Sequence, residues 1–204
     1  MTMVATDGRR LALVDEDVDI PEKSQGEFII PAKAVGELNR LLTATGNVEI
    51  KLGENQASFS LKDDKGFSVL LITKLIEGNY PNYRQVIPGE AKERVPLNRE
   101  EFVGALRRAE IMTSEKANSV RLTFGKNTLA ITANSPDVGE ARETMAVNYK
   151  GKEMAIAFNP RYLIEALNSL ADDEVYFELI DELSPGVLKI NGPFLYVVMP
   201  MRLS

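Results

Sequence analysis

The chain contains no cysteine and no histidine among its 204 residues. Without cysteine there is no disulfide framework and no thiolate metal site. Without histidine there is no Ser-His triad and no imidazole-ligated metal, and most hydrolase mechanisms lose their usual base. The lack of cysteine fits a reducing compartment, and a cytoplasmic location is expected. No apolar run is long enough to cross a membrane. Met1-Thr2-Met3-Val4 lacks the basic stretch and apolar segment of a secretory leader. No cofactor, metal or membrane partner is expected. A surplus of positive charge is missing as well. The formal charge is −6, so any attraction to nucleic acid must come from a local cationic surface. Paired carboxylates are the remaining enzymatic option, Asp7 with Asp137 or Asp172 with Asp173. Acid-base work needs two carboxyl groups held in a cleft with separated pKa values. Adjacent aspartates in a loop point apart, and Asp7-Gly8 reads as a turn in which glycine supplies a positive φ. An enzyme is therefore not expected.

What the chain does have is an ordinary apolar fraction of 44%, enough for a real core, and a repeat. Val4-Ala5-Thr6-Asp7 recurs as Ile131-Thr132-Ala133-Asn134, a shift of 127 from position 4 to position 131. Pro31, Leu38, Asn39 and Leu41 recur as Pro160, Leu167, Asn168 and Leu170, a shift of 129 from position 31 to position 160. Val48-Glu49-Ile50 recurs as Val175-Tyr176-Phe177, and Gly66-Phe67 echoes the surroundings of Phe194, both back at 127. The slip of two fits a longer loop over 43–47 in the first copy. Nothing before Met1 matches residues 97–121. A fixed spacing over this length means repeated units of structure. The expected organisation is the back of one module followed by a whole one, a piece of a larger repeat protein.

Within these units strand signals dominate. Alternating or β-rich segments cover 47–52, 57–61, 67–74, 119–124, 128–133, 175–179, 186–190 and 194–199. Gly125-Lys126-Asn127 reads as a compact hairpin connection. Three segments carry helical periodicity instead. The first follows Pro31, with Val35, Leu38 and Leu42 on one face. The second follows Asn98, a good N-cap, with Phe102, Ala105, Leu106 and Ala109 inward. The third follows Asn159-Pro160, a cap with proline in the first helical position, and buries Leu163, Ala166, Leu167 and Leu170. A shorter repeat is nested in the later module. Leu97-Asn98 and Ala105-Leu106 recur as Phe158-Asn159 and Ala166-Leu167, a shift of 61 from position 97 to position 158. The fold class expected is α+β, built from pseudo-twofold modules of two helices packed on antiparallel sheets. Pro88-Gly89 lies in the linker, which divides the chain into residues 1–92 and 93–204.

Three polar features admit two explanations each. Asp15-Glu16-Asp17 with Asp19 is a solvated edge or an acid-rich patch. The helical faces carrying Lys33, Glu37 and Arg40, then Glu100, Gly104, Arg107 and Arg108, then Arg161, Glu165 and Asn168, are either solvated with i, i+4 ion pairs or meet nucleic-acid phosphates. No aromatic residues interleave them, so base stacking is not expected there. Met201 and Leu203 remain apolar beyond Pro200, where a strand should stop. An apolar terminus either packs into a domain junction or lines a groove, and methionine suits a groove that accepts several partners.

Four segments also carry a family resemblance, in family order and over the whole length. Tyr196 to Leu203 resembles the signature ending of the bacterial sliding clamps, the β subunits of DNA polymerase III. Ala5-Thr6-Asp7-Gly8-Arg9-Arg10-Leu11-Ala12 resembles their central-domain motif. Gly78-Asn79-Tyr80-Pro81-Asn82-Tyr83-Arg84-Gln85-Val86, with Pro88, resembles their inter-domain segment. Arg108-Ala109-Glu110-Ile111, with Glu115-Lys116, resembles the start of their last domain.

The resemblance implies a DNA-clamp fold covering most of a central domain and all of a last one. It implies a non-catalytic replication factor whose full-length subunits pair head to tail into a homodimeric ring around duplex DNA, without sequence preference. Expected partners are the polymerase III catalytic subunit, the clamp loader and repair polymerases, each bound through a short linear motif. Carried over residue by residue, the peptide groove takes Thr6, Gly8, Arg9, Arg10 and Leu11, then Pro81 and Val86, then Val197, Val198, Met199, Pro200, Met201, Arg202 and Leu203. Leu11, Val86, Val198 and Met201 would desolvate an apolar anchor, and Arg10 and Arg202 would meet a peptide carboxylate or carbonyl. Lys33, Arg40, Arg107, Arg108 and Arg161 become candidates for the lining of the hole. Ile111, Met112, Glu140 and Glu143 match the ring joint. Arg9 stands where many relatives carry histidine, and Gln85 where some carry arginine, which changes the charge at the groove edge. Ser204 extends one residue past the usual leucine end.

The joint of this family pairs the last domain with a first domain, and a head-to-tail contact does not close without its complementary surface. The chain is therefore expected to sediment as a monomer. Analytical ultracentrifugation showing a tight, salt-resistant dimer would contradict this.

Overall fold

The structure, a computed structural model, describes residues 1–19, 26–43, 45–62, 66, 68–114 and 118–202. Phe67, Glu115, Lys116, Leu203 and Ser204, named above, lie outside the described residues. In chain order the elements are β1 (Thr2–Thr6), β2 (Arg10–Asp15), α1 (Ala32–Leu41), β3 (Asn47–Leu52), β4 (Gln56–Lys62), β5 (Ser68–Lys74), β6 (Glu93–Asn98), α2 (Arg99–Glu110), β7 (Val120–Gly125), β8 (Thr128–Ser135), β9 (Gly139–Ala146), β10 (Met154–Phe158), α3 (Pro160–Asn168), β11 (Glu174–Leu179), β12 (Gly186–Lys189) and β13 (Phe194–Val198). A single 3-10 turn, Tyr83–Gln85, precedes β6. They gather into two compact units, Met1–Asp17 with Asn82–Ser204, and Val18–Pro81.

The larger unit is two copies of strand, helix and three strands: β6-α2-β7-β8-β9, then β10-α3-β11-β12-β13. The opening strand of each copy crosses to the other. β6 pairs with β11 and β10 with β7, all antiparallel. This exchange produces a four-stranded sheet, β10-β7-β8-β9, and a six-stranded sheet, β1-β2-β13-β12-β11-β6. The exchange also explains why the nested shift of 61 is so regular: both copies must offer matching edges.

Each helix of this unit starts where its cap dictates. The Asn98 side chain accepts from the Glu101 N–H at 3.0 Å, and the Asn159 side chain accepts from the Arg161 N–H at 3.0 Å. Pro160 fills the first position of α3, where a missing N–H costs nothing. Phe102, Ala105, Leu106 and Ala109 from α2, and Leu163, Ala166 and Leu167 from α3, are all buried as expected, and Leu170 packs against the same core. Phe177 on β11 centres that core. Its ring lies 5.7 Å from Phe158, 5.9 Å from Phe124 and 6.4 Å from Phe102. Gly186 passes so close that a Cβ there would fall 2.7 Å from the Phe177 ring and 2.9 Å from Phe158.

The smaller unit holds α1 on the three-stranded sheet β3-β4-β5. Ala34, Ala57 and Phe59 are buried in it. The expected apolar face of α1 is largely uncovered, however. Val35 is 49% exposed and Leu42 43%, with Leu38 half-buried. The reason is the number of layers. α2 and α3 pack on one another as well as on sheets, whereas α1 meets chiefly β5 and has no second helix beside it among the described residues.

Five strands fall outside the sequence-based expectation: β1, β2, β6, β9 and β10. Pro96 interrupts the reading of β6, which tolerates it as the end strand of its sheet. β9 is also an end strand, and its charged Glu140, Arg142 and Glu143 mask the alternation. β10 is a short apolar run without alternation, which periodicity does not separate from helix.

Truncation of the central ring, Phe177→Ala, is expected to cost about 3–5 kcal/mol, and Gly186→Ala about 1–3 kcal/mol through overpacking. Urea denaturation followed by circular dichroism checks both.

Candidate functional site

The terminal strand ties the front of the chain to its back. β13 pairs with β2, setting Val197 opposite Leu11, Val198 opposite Arg10 and Tyr196 opposite Ala12. Leu11, Val187 and Val197 form a small buried cluster, covered by Val4, Leu13, Leu195, Tyr83 and Ile87. Tyr83 and Ile87 thus seat residues 83–87 against this cluster, leaving Val86 48% exposed.

The turn between β1 and β2 is built from Asp7-Gly8-Arg9. Gly8 takes a φ of +82° with open space around it, as the turn expectation required. The Thr6 hydroxyl donates to the Arg10 carbonyl at 2.8 Å and accepts from the Gly8 N–H at 3.2 Å. Asp7 Oδ1 accepts from the N–H groups of Arg9 and Arg10 at 3.0 and 3.1 Å. Beyond β13 the Met199 N–H donates to the Arg9 carbonyl at 2.9 Å. Pro200 ends the ladder, and the Met201 N–H then donates to the Ala157 carbonyl at 2.7 Å. The tail therefore leaves the six-stranded sheet and lands antiparallel on β10, the end strand of the other. Met199 and Met201 stay 43% and 36% exposed there. Leu11 and Val197 are buried in the small cluster and Val198 in the main core on the opposite face of the sheet, so none of the three is a contact surface. Arg202 is exposed, and Pro81 belongs to the smaller unit.

Arg10 is the electrostatic centre of this surface. Its Nε donates to Asp7 Oδ2 at 2.9 Å and its Nη1 to Glu165 Oε2 at 2.5 Å. Its guanidinium carbon lies 4.4 Å from the centre of the Tyr162 ring, within cation–π range. The Tyr196 hydroxyl donates to the Tyr162 carbonyl at 2.9 Å, tying β13 to α3. Burial pushes the Asp7 carboxyl up, but hydrogen bonds from the Arg9 N–H and from the Arg10 side chain and N–H outweigh it, and Asp7 lies below the usual aspartate value. Burial works against the Arg10 charge, yet the bonds to Glu165, Tyr196 and Asp7 raise its pKa further. Burial pushes the Tyr196 phenol up to about 12, against the pull of Arg10.

Tyr162, Glu165, Tyr196 and Ala157 were not assigned to this site from the sequence. Tyr162 and Glu165 sit three residues apart on one face of α3 after the Asn159 cap. That spacing is a readable signal, but what faces it is not. Glu165 was grouped with Arg161 and Asn168 along its own helix, whereas its partner comes from position 10.

The profile of the DNA polymerase III beta subunit, central domain, matches residues 1–82, and that of its C-terminal domain matches residues 84–202. The chain belongs to the DNA polymerase III beta subunit family. The beta sliding clamp of Chlamydia pneumoniae is 37% identical over 202 residues, covering 99% of this chain and 54% of that protein. The beta sliding clamp of Pseudomonas aeruginosa is 36% identical over 203 residues, covering 98% and 54%. The chain spans about half the length of the curated relatives it matches. Among solved structures, the Bartonella birtlesii sliding clamp bound to griselimycin superposes with a TM-score of 0.89 at 36% identity, covering 99% of this chain and 54% of that one. The Bacillus subtilis clamp gives 0.89 at 29% identity, covering 100% and 54%.

In this chain two of the five cationic helix candidates, Arg108 and Arg161, are tied to acids on neighbouring elements. Arg108 Nη2 lies 2.7 Å from Glu143 Oε2 on β9, and Arg161 Nε lies 2.9 Å from Glu110 Oε1 on α2. Arg107 Nη2 donates to Asn168 Oδ1 at 3.2 Å. Arg40 pairs along its own helix, with Glu37 at 3.4 Å. The expected i, i+4 ladders are thus replaced by links between elements, because α2 and α3 lie side by side. Lys33 is exposed on α1. Of the ring-joint candidates, Ile111 is exposed just past α2 and Met112 packs against the core. Glu140 accepts from Asn134 at 2.6 Å, and Glu143 faces inward to Arg108. β9, which carries both glutamates, is the end strand of its sheet. No cluster of three or more acidic side chains suited to a metal occurs among the described residues. A separate open cleft of about 510 Å³ beside β6 is lined by none of the groove, DNA-facing or ring-joint candidates, although Asp173 borders it.

Because Asp7 titrates lower when folded, its contact with Arg10 is complete above the ordinary aspartate range near pH 4 and is lost as pH falls through the lower folded value. Asp7→Asn is therefore expected to lower the urea midpoint at pH 7 and to converge with the native chain at about pH 2. Midpoints measured across that range check the sign, and a gap that ignores pH would contradict it.

Proposed function

We propose that this chain is the partner-binding and ring-joint part of a bacterial replication sliding clamp, with residues 1–92 from the central domain and 93–204 the last. The whole protein closes as a head-to-tail homodimer around duplex DNA in the cytoplasm. It performs no chemistry. Its contribution is tethering: a polymerase held on a ring need not find the primer again after each release, which raises its effective concentration. The grip on DNA is topological, with weak attraction between phosphates and the faces of Lys33, Arg40, Arg107, Arg108 and Arg161, which permits sliding. The acidic total suits this, since a negative outer surface keeps DNA in the hole.

Partners, namely the polymerase III catalytic subunit, the clamp loader and repair polymerases, dock short linear motifs on the exposed surface of Thr6, Gly8, Arg9 and Arg10, of Val86, and of Met199, Pro200, Met201 and Arg202, with Leu11, Val197 and Val198 buried behind it. The observation that carries this proposal is the course of the tail. Met199 and Met201 remain exposed while their backbones are bonded to the Arg9 turn and to β10. A fixed backbone with flexible thioether side chains suits an apolar anchor from several partners. Ile111, Met112, Glu140 and Glu143 stand at the ring joint on and beside an end strand, which suits extension of that sheet by another subunit.

Fluorescence anisotropy with a labelled Gln/Leu/Phe-rich peptide tests the proposal. The native chain is expected to bind with a Kd on the order of 1 μM. Met201→Glu is expected to weaken this at least about tenfold, a loss of about 1.4 kcal/mol, with an unchanged circular dichroism spectrum. Undiminished affinity in the variant would overturn the assignment.

A further inference from the structure

Arg10 was expected to receive a partner's carboxylate, yet two carboxylates of the chain already hold it. Asp7 and Glu165 bring two negative charges to one guanidinium, so the cluster keeps one formal negative charge. The two acids differ in what remains free. Asp7 uses Oδ1 on two backbone N–H groups and Oδ2 on Arg10. Glu165 contacts Arg10 through Oε2 and its side chain is 60% exposed. Tyr162 covers a face of the guanidinium. Arg10 is thereby a strut linking the β1–β2 turn to α3, and Glu165, more exposed than Asp7 at 60% against 46% and with Oε1 outside the Arg10 contact, presents more of the charge to solvent. Ala157, whose carbonyl receives Met201, lies on the strand just before α3, three residues ahead of its first residue. Glu165 thus reaches, through Arg10, the turn whose Arg9 carbonyl receives the exposed Met199.

Resting on the proposed groove, we infer that Glu165 is a specificity-determining residue: it cancels Arg10 at the rim and selects partner segments with an amide or cationic side chain beside the apolar anchor, against segments with an acid there. A like charge brought beside Glu165 is repelled, and a donor is accepted by its carboxylate. The effect is that of an exposed ion pair and is sensitive to salt.

Three synthetic peptides test this, identical in their leucine and phenylalanine anchors and differing in one flanking residue, Gln, Lys or Glu. Each is titrated at low and at physiological salt against the native chain, Glu165→Gln, Glu165→Asp and Met201→Glu. The native chain is expected to bind the Gln and Lys peptides about threefold to fivefold more tightly than the Glu peptide at low salt, and less so at higher salt. Glu165→Gln is expected to erase or reverse that order, since Arg10 then faces the ligand with a partner fewer, and Glu165→Asp to retain it. A native preference for the Glu peptide, or an unchanged order in Glu165→Gln, overturns the inference. If Met201→Glu leaves all three affinities intact, the groove itself is wrong and the inference falls with it. Loss of binding in Met201→Glu together with an unchanged order in Glu165→Gln spares the groove and overturns only the role of Glu165.

Discussion

The pairing of β2 with β13 is the contact on which the rest of the larger unit depends. Val197 lies opposite Leu11, and both are buried with Val187. A one-residue slip in that register would turn Leu11 and Val197 to the opposite face and dissolve the cluster. The same pairing fixes where the β1–β2 turn stands, and so where Arg9 offers its carbonyl to Met199. It fixes Arg10 as well, opposite Val198, with its side chain reaching α3. Hairpin, tail and helix are set by one ladder.

The exchange of opening strands gives this ladder a rigid base. Because β6 belongs to the sheet of the second copy and β10 to that of the first, neither copy folds its sheets alone. Phe177 lies against aromatic rings from α2, β7 and β10, which are the elements that the exchange brings together. Gly186 keeps β12 close enough for that packing. The β10 edge that receives Met201 is therefore held by the core of the unit and not by the tail itself.

Charge is used differently on the two surfaces. At the turn, the exposed carboxylates of Asp7 and Glu165 hold a half-buried Arg10 that Tyr162 braces, and the hydrogen bonds set the geometry. On the helices, Arg108 and Arg161 are held by acids from β9 and α2 at exposed positions, where each pair adds little to stability. Such pairs moderate the cationic faces without removing them.

Much of this was legible in the chain. The Asn98 and Asn159-Pro160 caps, the inward faces of α2 and α3, the glycine of the Asp7-Gly8 turn, the stop at Pro200 and the α+β repeat all follow from residue types at given spacings. Local rules govern them: cap geometry, 3.6-residue periodicity, permitted φ, the missing N–H of proline. The four family motifs are likewise linear. What the sequence did not disclose is of another kind. β6, β9 and β10 exist because a partner strand from a distant segment completes them. Val35 and Leu42 stay exposed because, among the described residues, the smaller unit has no second helix to cover α1. Arg10 meets Glu165 across 155 positions of chain, and Arg108 meets Glu143 across 35. The sequence by itself determined the three helices with their caps, the strands whose own pattern alternates, and which family they belong to. Only the tertiary structure decided which charges are free, because a side chain's partner is chosen by proximity in space, and that proximity comes from packing that no single segment encodes.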